Sequence, residues 1–250
     1  MVKTVLVTGG SRGLGAQIVN QFSKIGYNVV INYYQHQNLA DRLVSQIGDD
    51  KAIALKADVR NRQEVDRMTE LALKKFGSID TVVNNALVGF KFDPIAQKSF
   101  IELKWDDYQA QLDGTLKGAF NVIQSVLSSM IKHHFGQIVS IGTNLYQNPV
   151  VAYHQYTTAK AALIGFSRNL AVELGKYGIT VNVVSGGLLK TTDASSATTP
   201  EVFKMIQENT PLRKVTTPED VAKMVAFLGS EPGRGLTGQN VTVDGGLTMN

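Results

Sequence analysis

The sequence contains no cysteine among its 250 residues. This absence excludes disulfide bonds, a catalytic thiolate and zinc sites built on sulfur. No apolar run approaches the roughly 18 residues that a membrane-spanning helix needs. The first apolar strand pattern follows Met1 almost at once, which we interpret as leaving no room for a signal or transit peptide. We therefore expect a cytoplasmic protein with no membrane partner.

The sequence also lacks a strong excess of either charge, because it has 25 basic and 21 acidic residues and a net charge of +4. The basic residues are spread along the chain, which favours a mixed solvated surface over a nucleic-acid interface. No metal is expected, because the histidines do not have the spacing of metal ligands. They are His36, His133, His134 and His154. The Gly-x-Ser-x-Gly turn of a hydrolase is also missing.

Short β-branched runs alternate with helical patterns along the chain. The predicted strands cover residues 3–8, 28–33, 51–56, 80–84, 136–143, 178–184 and 239–244. This alternation is typical of a doubly wound parallel sheet. We therefore expect a single α/β domain over residues 1–250, with a Rossmann fold, a seven-stranded parallel sheet and helices on both faces.

Two helix patterns and one loop are specific enough to place. Asn61 and Glu64 have the spacing of a capping box, which predicts a helix that ends near residue 76. The segment 186–199 has no such pattern and is predicted to be a mobile loop, placed where a lid would lie. The first helix is indicated by apolar residues at helical spacing, at Leu14, Ile18, Phe22 and Ile25.

The stretch "VTGGSRGLG" follows the first strand and begins the first helix. Gly9, Gly13 and Gly15 would let the backbone approach a pyrophosphate at the start of that helix. A tight turn without a function is the alternative, but the position at the first strand–helix crossover favours binding. Because the stretch lacks the Lys and Ser/Thr of a nucleoside-triphosphate loop, we expect a dinucleotide.

The end of the second strand bears on which dinucleotide binds. An acidic residue there would hold the ribose 2′-hydroxyl of NAD, whereas "INYYQHQ" carries no carboxylate. A guanidinium in the glycine turn can face a 2′-phosphate instead. We therefore predict NADP(H), with the phosphate surrounded by Arg12, Asn32, Tyr33 and Tyr34.

Further short motifs occur in a fixed order: "TGGSRGLG", "ADV", "NNA", "IGT", "YTTAK", "GGLLKT" and "TGQNVTVDGG". Together they resemble the short-chain dehydrogenase/reductase family, from the first strand to the end of the chain. Within that family the sequence is most similar to the 3-oxoacyl carrier-protein reductases. The resemblance implies a Rossmann-fold oxidoreductase that acts on a carbonyl or alcohol.

The resemblance assigns the chemistry to "YTTAK". Tyr156 would be the general acid and base, and Lys160 lies one helical turn later on the same face. Lys160 would hold the ribose of the nicotinamide and, with the oxidised nicotinamide, would lower the pKa of Tyr156. Tyr153 has Thr157 at the same spacing instead of a lysine, so we expect it to pack or to line the substrate loop.

Two further catalytic positions depart from the family pattern. Thr143 stands where the family usually has serine, and its hydroxyl can make the same hydrogen bond to the substrate. Ser140 and Ser185 are alternatives at the wrong offset. Thr115 replaces the usual asparagine, which holds a water in the proton path to the lysine, and we include Thr115 among the catalytic residues.

The resemblance also implies a cofactor site. Asp58 would accept a hydrogen bond from the adenine amino group, with Val59 beside the ring, while Asn84 and Ala86 would line the cleft. The full expected set is Gly9, Ser11, Arg12, Gly13, Leu14, Gly15, Asn32, Tyr33, Tyr34, Asp58, Val59, Asn85, Ala86, Tyr156, Lys160, Gly187, Leu189 and Thr191.

The substrate side departs most from the family. Leu87 replaces a usual glycine, Gly186 replaces a usual proline, and the segment 88–105 is longer than the common pattern. An apolar pocket is expected from Phe90, Phe92, Phe100, Tyr146 and Leu188.

The sequence thus predicts an NADP(H)-dependent carbonyl reductase, with a 3-oxoacyl thioester, bound to a carrier, as one candidate substrate. A reductase of small ketones, sugars or steroids and a catalytically weak NADP(H) sensor remain as alternatives. The family pairs the helices near residues 106–132 and 151–175 across subunits, so we expect a homotetramer or a homodimer.

Overall fold

The computed structural model describes residues 2–93 and 97–249. Within these ranges seven strands form one parallel sheet in the order β3-β2-β1-β4-β5-β6-β7. The strands are β1 Thr4–Val7, β2 Asn28–Tyr33, β3 Ala52–Lys56, β4 Thr81–Asn84, β5 Gly136–Thr143, β6 Ile179–Gly186 and β7 Asn240–Val243. The predicted seven-stranded parallel sheet is confirmed, and each strand lies within two residues of its predicted bounds.

The helices lie on both faces of the sheet, as predicted. They are α1 Gly13–Lys24, α2 Gln37–Ile47, α3 Arg62–Phe76, α4 Trp105–Leu112, α5 Gly118–His133, α6 His154–Leu174, α7 Pro200–Asn209 and α8 Pro218–Leu228. A π-helical turn, Asp113–Lys117, joins α4 to α5. No described helix combines the length and the apolar character that crossing a membrane requires.

Alternate residues of the central strands are buried on opposite faces of the sheet, as the pleat requires. Val5 and Val7 pack with α1, α2 and α8, whereas Leu6 packs with α3, α5 and α6. Both faces are therefore dry, which is why these strands read as continuous apolar runs in the sequence.

The predicted start of α3 at Asn61 is confirmed, but the capping box is incomplete, because the Asn61 backbone N–H donates to the Asp58 carbonyl and not to Glu64. The side chain of Asn61 accepts hydrogen bonds from the backbone of Gln63 and Glu64 at 3.1 and 3.4 Å. Glu64 in turn accepts from the Asp58 backbone N–H at 2.8 Å, so the cap also fixes the loop after β3.

The strand order places the candidate site. The chain runs from β1 outward to β2 and β3, and then returns to β4 on the other side of β1. In open α/β sheets, ligands bind in the crevice at the carboxyl ends of the strands where the order reverses in this way. The glycine turn after β1 and "NNA" after β4 meet at this point.

Candidate active site

The glycine turn after β1 has a backbone conformation that requires glycine, and it lies next to the segment that follows β4. Gly9 and Gly13 have φ angles of +61° and +54°, which residues with a side chain rarely adopt. A Cβ on Gly15 would lie 2.1 Å from the Gly9 carbonyl oxygen, so only glycine fits there. The Asn85 side chain donates to the carbonyls of Thr8 and Gly9 at 2.9 and 3.2 Å.

The start of α1 is suited to an anion. Arg12 is the N-cap residue, but its side chain does not cap the helix, and the first turn carries no acidic residue. The backbone N–H groups of this turn therefore have no side-chain acceptor among the described residues. A helix start with such donors binds phosphate groups well.

Arg12 already holds an anion in this structure. Its guanidinium forms an ion pair with the carboxylate of Asp193, from the segment after β6. Both side chains are about half exposed, at 48% and 65%, so the pair is weak and exchangeable. The sequence prediction missed Asp193, which lies in a segment without periodic pattern and is brought to Arg12 only by the fold.

The other residues predicted around the 2′-phosphate differ in their availability. Tyr34 is 50% exposed beside the turn. Asn32 is buried, accepts from the Gly9 N–H at 3.2 Å and donates to the Ala57 carbonyl at 3.1 Å. Tyr33 is buried in the core. Asn32 therefore supports the glycine turn from below, and its bonded state does not favour the predicted contact of its side chain with the phosphate.

Asp58 lies after β3, and its carboxylate is paired with Arg60, a residue that the sequence prediction missed. Its carboxylate accepts from the Arg60 guanidinium at 2.7 and 3.0 Å, and these bonds lower the pKa of Asp58. Arg60 adds a partly exposed cation at the edge of the predicted adenine site. The only sequence signal was a basic residue directly after "ADV", two positions after Asp58. Val59 packs closely on α5, since a Cβ on Gly118 would lie 2.9 Å from it.

Tyr156 and Thr143 meet as predicted from their offset. Thr143 ends β5, Tyr156 lies in the first turn of α6, and the Thr143 hydroxyl lies close enough to Tyr156 to lower its pKa slightly. Lys160 lies one turn further along α6, where its Nζ donates to the Ile141 carbonyl at 2.7 Å. The two alternative serines point elsewhere, because Ser140 accepts from Asn84 and Ser185 donates to Asn240.

The protein chain alone does not lower the pKa of Tyr156, and the expected lowering beside an oxidised nicotinamide stays a prediction. Burial raises the pKa of Tyr156 to about 12, and the nearby Thr143 hydroxyl offsets only part of this effect. Burial also lowers the pKa of Lys160 to about 8. The Lys160 Nζ lies 5.9 Å from the centre of the Tyr156 ring, so the desolvation of the hydroxyl outweighs the attraction of the ammonium for a phenolate.

An aromatic cluster covers Tyr156 and explains its burial. The Phe90 ring stacks on the Tyr156 ring with the centroids 4.1 Å apart and the planes 10° apart. The Phe92 ring contacts both of these rings edge-on, and the Tyr153 ring contacts Phe90 and Phe92 in the same way. The Phe92 N–H donates to the Ala194 carbonyl at 2.8 Å, which ties this segment to the loop after β6.

The predicted apolar pocket is only partly assembled. Phe90 and Phe92 lie beside Tyr156, whereas Phe100 is 68% exposed and packs on the His154 ring. The hydroxyl of Tyr146 accepts from Asn240, which turns Tyr146 toward β7.

Thr115 lies inside the π-helical turn, at a small buried cavity that Lys160 also lines. Such turns are frequent at functional sites. Gly114 makes room for the segment after β4, because a Cβ there would lie 2.8 Å from the side chain of Val88. The structure thus brings Thr115 and Lys160 to one cavity, and the catalytic part of Thr115 stays a prediction.

The predicted lid is folded by its own hydrogen bonds. Ser195 is buried and donates to the Leu189 carbonyl at 2.7 Å, while its Oγ accepts from the Thr192 N–H at 2.9 Å. Gly187 lies against Asp244, and Thr191 is exposed. The segment therefore has a defined shape above the glycine turn, and contacts of Gly187, Leu189 and Thr191 with a cofactor stay predictions.

Comparisons with known proteins agree with this geometry. Residues 9–248 match the family model described as enoyl-(acyl carrier protein) reductase. The 3-oxoacyl-(acyl-carrier-protein) reductase FabG of Staphylococcus epidermidis is 36% identical, with all of both chains covered. The 3-oxoacyl-(acyl-carrier-protein) reductase of Synechocystis is also 36% identical, over 99% of this chain and 97% of that one.

A similar solved structure is a blue fluorescent protein from a metagenomic library, in complex with NADPH. It has a TM-score of 0.88 and 33% identity, and covers 99% of this chain and 98% of its own. A putative gluconate dehydrogenase from Agrobacterium tumefaciens has the same TM-score at 29% identity, over 98% and 95% of the two chains. The chain belongs to the short-chain dehydrogenase/reductase family of oxidoreductases.

Proposed function

We propose that this protein is an NADP(H)-dependent reductase that converts a carbonyl group to a hydroxyl, with Tyr156 as the general acid. The observation that carries the proposal is the buried Tyr156–Thr143 pair with Lys160 one turn away, at the crevice beside the glycine turn. The NADPH complex of a structural relative that covers nearly the whole chain supports the choice of cofactor.

The residues present fit NADPH. The start of α1 offers N–H donors for the pyrophosphate, and the Arg12 guanidinium, which now holds the Asp193 carboxylate, would hold the 2′-phosphate. The absence of a carboxylate at the end of β2 favours the same choice. When bound, NADPH supplies the hydride that reaches the carbonyl carbon.

The chain supplies the proton and the orientation. Thr143 would hold the substrate oxygen by a hydrogen bond while Tyr156 gives its proton to that oxygen. The raised pKa of Tyr156 keeps the hydroxyl protonated at neutral pH, so the acid is ready before hydride transfer. Since the Phe90 ring now lies on Tyr156, that ring has to move aside before a substrate reaches the hydroxyl.

For the substrate we propose a 3-oxoacyl thioester. Two relatives that cover the chain almost completely carry that activity in their names. The rings of Phe90, Phe92 and Tyr153 offer an apolar surface beside Tyr156 for a hydrocarbon chain. A screen of NADPH oxidation over 3-oxoacyl thioesters, diketones, sugars and steroids tests this choice, and preference for a sugar or a steroid would overturn it.

We further propose that residues 1–250 form one cofactor-binding and catalytic domain that works in the cytoplasm as a homotetramer. Apolar side chains exposed on the surface of α5 and α6 support assembly, with Phe120 at 43% and Val172 at 87% exposure.

Substitution of Tyr156 tests the proposed catalysis. Tyr156→Phe keeps the ring but removes the proton donor, so turnover should fall by at least about 100-fold while NADPH still binds. Thr143→Ser keeps the hydroxyl and should retain most activity, whereas Thr143→Ala should not. Tyr153→Phe is the matched control in the same cluster. Normal turnover of Tyr156→Phe, or greater damage from Tyr153→Phe, would contradict the scheme.

A further inference from the structure

A small cavity lined by polar and apolar residues lies beside Lys160, between the end of β4, the π-helical turn and α6. Its volume is about 10 Å³, close to the room that one water molecule requires. Buried waters occupy sites of this kind when two to four polar groups converge on them. The lining residues are Thr8, Val59, Asn84, Ala86, Gly114, Thr115, Gly118, Ala119, Lys160 and Leu163.

Asn84 lines this cavity and carries an unpaired polar atom. It is the last residue of β4, is 8% exposed, and donates from Nδ2 to the Ser140 Oγ at 3.3 Å. Its Oδ1 is buried and has no hydrogen-bond partner among residues 2–93 and 97–249. Turning the amide over would leave Nδ2 unpaired in its place. Burying such an atom without a partner is costly, so a small polar group in the cavity would stabilise the fold.

Lys160 faces the same cavity with donors to spare. Its ammonium has three N–H groups, and one of them is used by the Ile141 carbonyl. The side chain is only 4% exposed, so bulk water does not satisfy the others. Thr115, a hydroxyl-bearing residue of the π-helical turn, lines the same cavity.

We propose that Asn84 is a positioning residue, which holds a water between its side-chain oxygen, Lys160 and Thr115. The water accepts from the Lys160 ammonium and donates to the Asn84 Oδ1 and to the Thr115 hydroxyl, which gives it three hydrogen bonds. The inference rests on the proposed function, in which Lys160 stands behind Tyr156. In this proposal the water is held at the end of β4, because the amide of Asn84 supplies a second hydrogen-bond partner in addition to the Thr115 hydroxyl.

The first test is a high-resolution crystal structure of the full chain. We expect an ordered water within hydrogen-bonding distance of both the Asn84 Oδ1 and the Lys160 Nζ. An empty cavity, or a water that contacts Lys160 but not Asn84, would overturn the inference. This readout does not depend on activity.

The second test compares two substitutions with opposite expected effects. Asn84→Leu removes the acceptor and dries the cavity, so the charged form of Lys160 loses a partner and its pKa falls. Asn84→Asp keeps the shape and places a carboxylate near the ammonium, so that pKa rises. The basic limb of the pH profile of kcat should move to lower pH in Asn84→Leu and to higher pH in Asn84→Asp.

Thr180→Val is the matched control, because the Thr180 hydroxyl is also buried and unpaired among the described residues. Thr180 lies near the start of β6, at the end of the sheet opposite to the candidate site. It should leave the pH profile unchanged. Asn84→Leu should also lower kcat about tenfold, the effect of losing one hydrogen bond to a charged group. If the natural protein is active and the pH profiles of the two Asn84 variants shift equally or not at all, the inference is overturned. If the natural protein has no turnover, the proposed function is refuted instead.

Discussion

Lys160 is predicted to destabilise the fold that it serves. Its side chain is 4% exposed, and among the described residues its only hydrogen-bond acceptor is the Ile141 carbonyl, at 2.7 Å. No carboxylate pairs with it in the described part of the chain. Burial lowers the pKa of Lys160 from 10.5 to about 8, so the ammonium is still charged at pH 7 and is held inside the protein at a cost.

The size of the cost follows from the two pKa values. Each pH unit between them is worth about 1.4 kcal/mol, so the folded protein loses roughly 3 kcal/mol at pH 7. Lys160→Met keeps most of the stem and removes the charge. It also removes the hydrogen bond from the ammonium to the Ile141 carbonyl, a loss of about 1.5–3 kcal/mol for a charged donor. The variant should therefore be more stable than the natural protein by up to about 1.5 kcal/mol at pH 7, while losing its activity.

The gain should depend on pH in one direction. Below the folded pKa of about 8, Lys160 is protonated in both states and the cost is complete. Between about 8 and 10.5 the unfolded chain binds more protons than the folded protein does, so the stability of the natural protein rises with pH. The advantage of Lys160→Met should therefore shrink across this window and disappear above it.

Urea unfolding at a series of pH values measures the difference, at one fixed protein concentration because assembly also affects stability. Lys132→Met, which removes an exposed lysine near the end of α5, is the control and should change stability little at any pH. A Lys160→Met variant that is less stable at pH 7, or whose advantage does not change with pH, would refute the reasoning.

Three further predictions concern the cofactor, the aromatic cluster and assembly. Arg12→Ala should weaken NADPH binding by about 1.5–3 kcal/mol and NADH binding much less, whereas Asp193→Asn should strengthen NADPH binding. Titration calorimetry measures both effects. Equal losses for the two cofactors in Arg12→Ala would show that Arg12 does not bind the 2′-phosphate. Phe90→Ala should expose Tyr156 and lower its pKa from about 12 toward 10. The absorbance of the phenolate, after subtraction of the signal of Tyr156→Phe, measures this pKa. An unchanged pKa would show that Phe90 does not cause the burial of Tyr156. Light scattering should give a tetramer, and a monomer at micromolar concentration would reject the proposed assembly.

The sheet could be predicted because its signals are local. Strands buried on both faces read as short apolar runs, and the capping residue Asn61 fixes the start of α3 through bonds to its neighbours in sequence. The pairing of Thr143 with Tyr156 was implied by the family resemblance, and the structure brings them together because one loop joins the end of β5 to the start of α6. Motif spacing is informative where few residues lie between the partners.

The parts of the site that were missed depend on distant segments. Asp193 reaches Arg12 across 181 positions, and Phe90 reaches Tyr156 from a segment whose length departs from the family pattern. No periodicity in the sequence encodes such contacts, because they arise only when loops from different strands close over one edge of the sheet. The burial that raises the pKa of Tyr156 in the protein chain was missed for the same reason, since the Phe90 ring that covers it was not foreseen.

The two buried charges among the described residues show why the structure singles out Lys160. Asp244 is 5% exposed, but its carboxylate accepts from the Asn144 side chain and from two backbone N–H groups, at 2.9 to 3.1 Å. Its lone pairs are well used, and it stabilises the end of β7. Lys160 is buried to the same degree and has one acceptor among the described residues, where it shares a cavity with Asn84, whose side-chain oxygen is unpaired in the same part of the chain. A charge that is buried without full pairing costs stability, so a fold retains it only where its chemistry is used.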